Sequence, residues 1–219
     1  MNAEHTIKPN NSNSEVEPEH LIALSRDDIN AMPMDRYNGP VEVVQDAKQV
    51  ARACATLARE TVLGFDTETR PSFRKGESYN PSLIQLAGAD NVYLFPLKEG
   101  LIPEPLKKLL ANRAVLKAGV ALEYDVKQLR VLNDFEPGGF TALETMAKKL
   151  RIKNQGLRGL AAALLGFRIS KKAQCSNWSR SPLTDAQIVY AATDAWVSRQ
   201  LYLELKRRLD STDSPMSMS

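Results

Sequence analysis

Apolar and polar positions recur with two different periods along residues 40–209, and these periods divide the segment into strands and helices. Short β-rich apolar runs predict strands at 41–44, 61–68, 83–86, 92–95 and 115–120. Apolar positions at helical spacing predict helices at 46–60, 103–111, 123–133, 142–151, 157–166 and 184–209. The short connection at 88–91 predicts an antiparallel hairpin. This order of elements favours an α/β fold, with a mixed sheet flanked by helices and a helical C-terminal half.

Local signals support two of the helix starts and one loop. Asp46 precedes Gln49 by three residues, and Thr184 precedes Gln187 by the same spacing, so each pair predicts a capping box. Residues 70–81 contain two prolines and a glycine and are expected to form a loop.

The N-terminal region differs in charge from the rest of the chain. Residues 1–35 contain seven acidic and two basic residues, a net charge of −5, and the whole chain carries +3, so residues 36–219 carry +8. Few apolar residues in this region are available for burial. We therefore expect a disordered acidic tail at 1–36, one folded domain at 37–209, and a disordered C-terminal tail at 210–219.

Several classes of protein are disfavoured by what the sequence lacks. It shows neither a secretory signal nor a transit peptide, and no apolar stretch approaches the ~20 residues that cross a bilayer, so we expect a cytoplasmic protein. Cys54 and Cys175 lie far apart without a CxxC spacing and are expected to be reduced. Because His5 and His20 both fall in the tail, the folded region cannot use histidine zinc sites or serine–histidine catalysis.

Four acidic residues and one tyrosine are the candidates for chemistry. Asp66 and Glu68 end an apolar strand and share one of its faces, while Tyr190 and Asp194 share a helix face. Asp125 would lie in the first turn of a helix that follows another strand, near the strand ends where sites in α/β sheets collect. Four carboxylates in one site repel each other unless cations neutralise them. Two Mg²⁺ or Mn²⁺ ions about 3.5–4 Å apart would meet that need.

Each of these features has a plain structural alternative. An Asp-x-Glu at a strand end is commonly a solvated edge, and a tyrosine and an acid at i and i+4 are commonly helix surface. An acid such as Asp125 is also favoured at a helix start by the dipole. All of these alternatives would have to hold together for the site to be absent.

Three segments of the chain resemble the motifs of a known family. Phe65–Glu68, Gly119–Leu129 and Tyr190–Asp194 are similar to the three motifs of the DEDD superfamily of 3′–5′ exonucleases, in the subclass with tyrosine in the third motif. The resemblance spans about residues 40–208 and is closest to the exonuclease domain of the Werner syndrome helicase. Supporting stretches are Leu83–Leu86, Lys117–Val120, Cys175–Ser179 and Pro182–Asp185. The resemblance implies a ribonuclease H-like fold, related to that of ribonuclease D, and a chain that carries the exonuclease unit alone.

The resemblance also implies a role for each site residue. Asp66 would bridge two divalent cations, Glu68 and Asp194 would hold the one beside the attacking water, and Asp125 would support the second. Tyr190 would orient that water rather than act as a simple base, because its ordinary pKa is near 10. The product would be a nucleoside 5′-monophosphate released from a 3′ end. Glu144 stands where many relatives have aspartate, and no metal role is assigned to it.

A basic segment provides candidate contacts to nucleic acid. Residues 148–180 contain nine lysines and arginines and no acid, which is typical of a track along a phosphate backbone, although a solvated face is the plain alternative. Trp178 is expected either to stack on a base or to pack in the core. The candidate nucleic-acid contacts are Arg74, Lys75, Lys171, Lys172, Trp178 and Arg180.

Together these features predict a two-metal 3′–5′ exonuclease that acts on nucleic acid with a free 3′ end. DNA is the favoured substrate because of the Werner-like stretches. A ribonuclease that trims RNA 3′ ends is the first alternative, since nothing in the motifs recognises a 2′-hydroxyl. A nucleic-acid-binding module without catalysis is the second.

Overall fold

The computed structural model describes residues 22–213, apart from positions 73, 75, 78 and 132. Within this part of the chain, six strands and seven helices follow each other in a largely alternating order. The strands are β1 (Val41–Val43), β2 (Val62–Thr69), β3 (Pro81–Ala87), β4 (Val92–Pro96), β5 (Leu116–Gly119) and β6 (Phe140–Ala142). The helices are α1 (Arg26–Ala31), α2 (Ala47–Leu57), α3 (Glu104–Ala111), α4 (Leu122–Val131), α5 (Leu143–Lys149), α6 (Leu157–Leu165) and α7 (Asp185–Asp213).

The strands form one mixed sheet in the order β1-β4-β3-β2-β5-β6. Strands β2, β3 and β4 are antiparallel neighbours, whereas β1–β4, β2–β5 and β5–β6 are parallel pairs. This arrangement confirms the mixed α/β sheet, the antiparallel hairpin and the helical C-terminal half that the sequence predicts. The long helix α7 packs across β2 and its neighbours, so residues of β2 face α7 at the centre of the sheet.

Both predicted helix starts have a side-chain cap, but only α7 has the full capping box, because at α2 the Gln49 side chain accepts from the Gln45 amide at 2.6 Å instead of from Asp46. The Asp46 carboxylate accepts from the Gln49 amide at 2.8 Å at the start of α2. At the start of α7, the Thr184 hydroxyl accepts from the Gln187 amide at 3.3 Å, and Gln187 Oε1 accepts from the Thr184 amide at 3.0 Å. These reciprocal bonds satisfy amides that have no partner within the helix, so they fix where α7 begins.

Strand β6 is not among the predicted elements. Its three residues follow two glycines and directly precede α5, so the segment offers too short a run for a period to be recognised. Pairing with β5 decides its conformation: Lys117, Ala118 and Gly119 lie opposite Phe140, Thr141 and Ala142.

The prediction of a disordered tail at 1–36 is wrong for residues 22–36. Ser25 forms a capping box with Asp28 at the start of α1. The backbone of Leu24 makes two bonds of 2.8 and 2.9 Å with the Asn154 side chain, and Arg168 donates from Nε to the Met32 carbonyl at 3.0 Å. Polar and backbone contacts, which a count of apolar residues cannot detect, hold this segment. Residues 1–21 lie outside the described part of the chain.

The predicted C-terminal boundary at 209 also changes. Helix α7 continues to Asp213, so residues 210–213 are helical rather than part of a disordered tail, and residues 214–219 lie outside the described residues. Among the helices described within 22–213, none combines the length and apolar character that a membrane span needs.

Candidate active site

Three carboxylates meet where α7 crosses β2. Asp66 and Glu68 project from the same face of β2 because they are two residues apart in a strand. Asp194 projects from α7 toward them, and one carboxylate oxygen from each of the three residues lies within 4.8 Å of the others. Glu68 and Asp194 are only 9% and 4% exposed. The strand pair and the helix pair singled out in the sequence therefore form one buried cluster.

Asp125 borders the same cluster from α4. The chain turns from β5 into α4 through Ala121, whose φ of 57° lies in the left-handed region, and this turn places Asp125 in the first turn of the helix. Glu144 Oε1 accepts from the Ala121 amide at 3.2 Å and so stabilises the turn. Sequence reasoning gave Glu144 no metal role, and in the structure it contacts this backbone instead.

The acids perturb one another strongly. Burial and the carboxylates of Asp194 and Asp125 raise the pKa of Asp66 well above its usual range. Burial, with Asp66 and Asp194, raises the pKa of Glu68 to about 10. Burial raises the pKa of Asp194 to about 7 and that of Asp125 to about 6. Such shifts mean that the cluster resists carrying its full negative charge unless positive charge is supplied.

Tyr190 lies one turn before Asp194 and faces the same cluster. Burial, followed by the charges of Asp194 and Glu68, raises the pKa of Tyr190 above its usual value. The hydroxyl therefore stays protonated at neutral pH and donates toward Asp194, where its hydrogen bond lowers the pKa of that carboxyl against the larger effect of burial.

The suggestion that Trp178 stacks on a base is wrong for this structure. Trp178 is only 2% exposed, its Nε1 donates to the Gln174 carbonyl at 3.3 Å, and it belongs to the core below α7. Its ring lies 5.8 Å from the ring of Tyr190, centroid to centroid. The core-packing alternative therefore holds, and Trp178 supports the tyrosine of the site instead of meeting solvent.

The four acids and Tyr190 open into a cavity of about 470 Å³. The same cavity is also lined by the start of α6, including Gly156 and Arg158, and by Lys171. Gly156 begins α6 without a side-chain cap, so the first amides of the helix are not bonded by a capping side chain. Arg158 Nε is buried and has no hydrogen-bond partner among the described residues. Basic side chains and the first turn of a helix thus line the same cavity as the acidic cluster, a combination that suits a phosphate group.

The remaining basic candidates lie elsewhere. Lys172 lines a neighbouring cavity of about 840 Å³, which also reaches Tyr190 and Asp194. Arg180 donates from Nε to the Pro182 carbonyl at 3.1 Å, and Arg74 is exposed and lies 4.0 Å from Glu77. Lys75 lies outside the described residues. The track predicted from residues 148–180 therefore reaches the acidic cavity only through Arg158 and Lys171.

The N-terminal segment contributes to the site, and sequence reasoning missed this. Asn30 accepts from the Arg158 guanidinium at 2.8 Å, and Met34, Arg36 and Asn38 form one wall of the larger cavity. The Tyr37 amide donates to Thr193, next to Asp194, at 3.1 Å. The sequence does offer a signal for this role: Asn30, Arg36 and Asn38 are polar or basic residues in an N-terminal segment whose charged residues are mostly acidic.

The residues present fit divalent cations. Their donors are carboxylate oxygens, which Mg²⁺ and Mn²⁺ prefer, and they converge from two elements. Asp194 Oδ1 is buried and has no hydrogen-bond partner among the described residues, so a strong acceptor is aimed into the cluster and available as a ligand.

Comparison with known proteins agrees with this geometry. The 3′–5′ exonuclease family matches residues 41–210. The mouse bifunctional 3′–5′ exonuclease/ATP-dependent helicase WRN is 35% identical over an alignment of 161 residues that covers 68% of this chain and 11% of that protein. Ribonuclease D of Acidiphilium cryptum is 33% identical over an alignment of 181 residues that covers 81% of this chain and 45% of that protein. The chain thus spans less than half the length of either relative.

Solved structures share the fold. The EXO domain of Aedes aegypti Nibbler superposes with a TM-score of 0.72 at 23% identity, over 82% of this chain and 94% of that one. Escherichia coli RNase D superposes with a TM-score of 0.68 at 22% identity, over 78% of this chain and 46% of that one. The ribonuclease H-like fold expected from the resemblance is therefore confirmed, and the chain belongs to the DEDD-type 3′–5′ exonuclease family.

Proposed function

We propose that this chain is a 3′–5′ exonuclease that hydrolyses nucleic acid from its 3′ end with two divalent cations, Mg²⁺ or Mn²⁺. The single observation that carries the proposal is the convergence of Asp66, Glu68 and Asp194, with oxygens within 4.8 Å of one another and an unpartnered oxygen on Asp194. Asp66, Glu68 and Asp194 would hold the cations, and Asp125 would support the second of them. Bound cations supply Lewis-acid stabilisation of the charge that develops on the phosphate oxygens.

The chain's own residues provide orientation and charge. Tyr190 keeps its proton, so its hydroxyl serves as a hydrogen-bond partner that orients the attacking water and does not take up a proton from it. Arg158 and Lys171 line the same cavity as the acids and bring positive charge to the phosphate of the bound strand. The product is a nucleoside 5′-monophosphate: water attacks the last phosphodiester phosphorus, the bond from phosphorus to the 3′ oxygen of the penultimate nucleotide breaks, and the phosphate stays on the 5′ oxygen of the released nucleotide. The shortened strand keeps a 3′ hydroxyl.

DNA is the favoured substrate. Support comes from Cys175–Ser179 and Pro182–Asp185, which resemble the Werner exonuclease, and from 35% identity to the mouse WRN protein. RNA is the second candidate because curated ribonuclease D sequences align with up to 81% of the chain. Contacts to phosphates and to an acidic cluster do not distinguish the two sugars, so substrate choice must be measured.

The experiment is a digestion of 5′-labelled oligonucleotides of one sequence as single-stranded DNA, duplex DNA and RNA. Each is incubated with Mg²⁺, Mn²⁺ or EDTA and resolved on a denaturing gel. We expect a ladder that shortens from the 3′ end with either cation and is absent in EDTA, with DNA degraded faster than RNA. Faster cleavage of RNA than of DNA would make RNA the assigned substrate. Binding without a ladder under every condition would refute the proposed activity and favour a non-catalytic binding module.

A further inference from the structure

Gln85 lies fully buried in the centre of the sheet, and neither polar atom of its side chain has a hydrogen-bond partner among the described residues. Buried polar groups are almost always bonded, since leaving one unpartnered is costly in free energy. Its strand neighbours on either side, Ile84 and Leu86, are apolar and fully buried, and an apolar residue would fill the same space without that cost. An amide at this position therefore requires an explanation other than packing.

The register of the sheet shows what Gln85 adjoins. In the antiparallel pair of β2 and β3, Gln85 is directly opposite Asp66. Opposite residues project from the same face with Cβ atoms about 4.5–5.5 Å apart, well within the reach of a glutamine side chain. On its other side Gln85 is opposite Leu94 of β4.

The neighbours of Gln85 on β3 and β4 are apolar, whereas β2 places Asp66 directly opposite it and Glu68 at the diagonal position on the same face. Leu83 and Ala87 precede and follow it on the same face, and they belong with Leu94 and Ala191 to the cluster packed under α7. Asp66 is thus the directly opposite residue, and the nearest one across the strand pair, that can accept from an amide. The Asp66 carboxylate itself accepts one bond, from the Thr67 amide at 2.9 Å, and so has acceptor capacity left.

We infer that Gln85 is a positioning residue for Asp66, whose carboxylate it orients through its Nε2 donor when the site holds cations. The inference rests on the proposed function only in taking Asp66 as a cation ligand. A carboxylate that binds a cation is fixed in place by hydrogen bonds to its remaining lone pairs, and loss of such a partner typically weakens metal affinity. The two side chains are opposite each other and the Gln85 amide has no hydrogen-bond partner among the described residues, so we assign the bond between them to the site with cations bound.

The test compares Gln85→Met with the wild type and with Ile84→Met. Methionine matches glutamine in length and removes both polar atoms. Ile84 is equally buried in the same strand but faces the opposite core, so it reports on repacking alone. Three quantities are measured for each protein: the Mn²⁺ dissociation constant by calorimetric titration, the free energy of unfolding by urea in EDTA, and kcat and KM on a labelled oligonucleotide.

For Gln85→Met we expect Mn²⁺ affinity and kcat to fall by roughly 10-fold or more, with KM for the oligonucleotide nearly unchanged. Metal-free stability should equal or exceed that of the wild type, because an unpartnered buried amide has been removed. A purely structural role predicts the reverse: lower stability and unchanged Mn²⁺ affinity of the folded protein. Wild-type Mn²⁺ affinity in folded Gln85→Met would overturn the inference.

A substitute variant and the wild-type measurements separate failure of this inference from failure of folding or of the proposed function. If Gln85→Met does not fold, Gln85→Leu replaces it, and the same measurements and criteria apply. If the wild type binds Mn²⁺ but cleaves no oligonucleotide, the proposed function fails while the Mn²⁺ titration still tests Gln85. If the wild type cleaves and the variant matches it in affinity and kcat, only the inference about Gln85 fails.

Discussion

Gly64 of β2 lies directly against the carbonyl of Ala195 on α7, so closely that a Cβ at Gly64 would be 1.8 Å from the Ala195 oxygen. Only a glycine lets the helix approach the strand to this distance. The contact lies two residues before Asp66 and one residue after Asp194. Close packing of the strand and the helix is therefore what brings their carboxylates together.

Gly64→Ala is expected to separate α7 from β2 and to damage both the fold and the site. Overpacking of this kind costs about 1–3 kcal/mol or more, and we expect Mn²⁺ affinity to fall in the protein that remains folded. Urea unfolding in EDTA and Mn²⁺ titration measure the two effects. Gly156→Ala is the control for overpacking only, because no atom lies within 4 Å of a Cβ built there, and its Mn²⁺ affinity is not compared since Gly156 lines the cavity. A Gly64→Ala protein as stable as Gly156→Ala, with the Mn²⁺ affinity of the wild type, would show that the close approach is not needed.

Tyr190→Phe is expected to slow turnover while leaving the cation site intact. The hydroxyl is lost but the ring remains against Trp178, so we expect kcat to fall by roughly 10- to 100-fold through loss of orientation. Mn²⁺ affinity should remain close to that of the wild type, since the four carboxylates are unchanged. Single-turnover cleavage and Mn²⁺ titration provide the measurements. An unchanged rate would remove the hydroxyl from the mechanism.

Lys171→Ala and Arg158→Ala are expected to weaken substrate binding. Each removes a positive charge from the lining of the acidic cavity, so KM should rise and the slope of log affinity against log salt should decrease by about 1. Lys149→Ala removes an exposed lysine on α5, within the same basic segment but away from the cavity lining, and serves as the control. If all three variants respond alike, the effect reflects overall charge rather than contact at the cavity.

Lys117 gives a prediction about stability and pH. Its ammonium is fully buried and donates to the carbonyls of Leu109, Asn112 and Val115 at 3.3, 2.7 and 2.8 Å. Burial lowers its pKa from 10.5 to about 8. Between these values the unfolded chain binds more protons than the folded one, so stability from this group rises as pH increases.

The measurement compares wild type and Lys117→Met by urea unfolding from pH 7 to 10.5. At pH 7 the variant should be less stable by about 1–3 kcal/mol, because three carbonyls lose their donor. Above pH 8 the difference in favour of the wild type should grow, by at most about 3 kcal/mol. A constant difference would mean that the lysine keeps its ordinary pKa and a shrinking one that folding raises it, and either result would contradict the prediction.

The predicted strands and long helices formed where the sequence has a sustained period, and the spacing of Asp66–Glu68 and Tyr190–Asp194 placed these side chains on shared faces. Those features are local and can be read from the chain. The position of Asp125 depends on a left-handed turn at Ala121, which no period reveals. Its place beside the cluster was expected because helices that follow strands begin at the strand ends.

Other features depend on contacts between distant segments. Residues 22–36 are ordered by backbone bonds to residues such as Asn154 and Arg168, which lie more than 100 positions away. The burial of Trp178 follows from the packing of the 170–180 loop below α7, and an aromatic residue in a basic segment is equally compatible with exposure. The unpartnered amide of Gln85 becomes visible only once the register of β2 and β3 is known.

The most direct test of the central claim is cleavage of 5′-labelled DNA by the wild type and by Asp66→Asn, each in Mn²⁺ and in EDTA. Asparagine keeps the shape of the side chain but removes a charge from the cluster, so the variant should fold at least as stably in EDTA as the wild type. We predict a 3′-shortening ladder for the wild type in Mn²⁺, and none for the variant or in EDTA. Comparable cleavage by folded Asp66→Asn, or cleavage by the wild type in EDTA, would contradict the assignment of this cluster as the catalytic metal site.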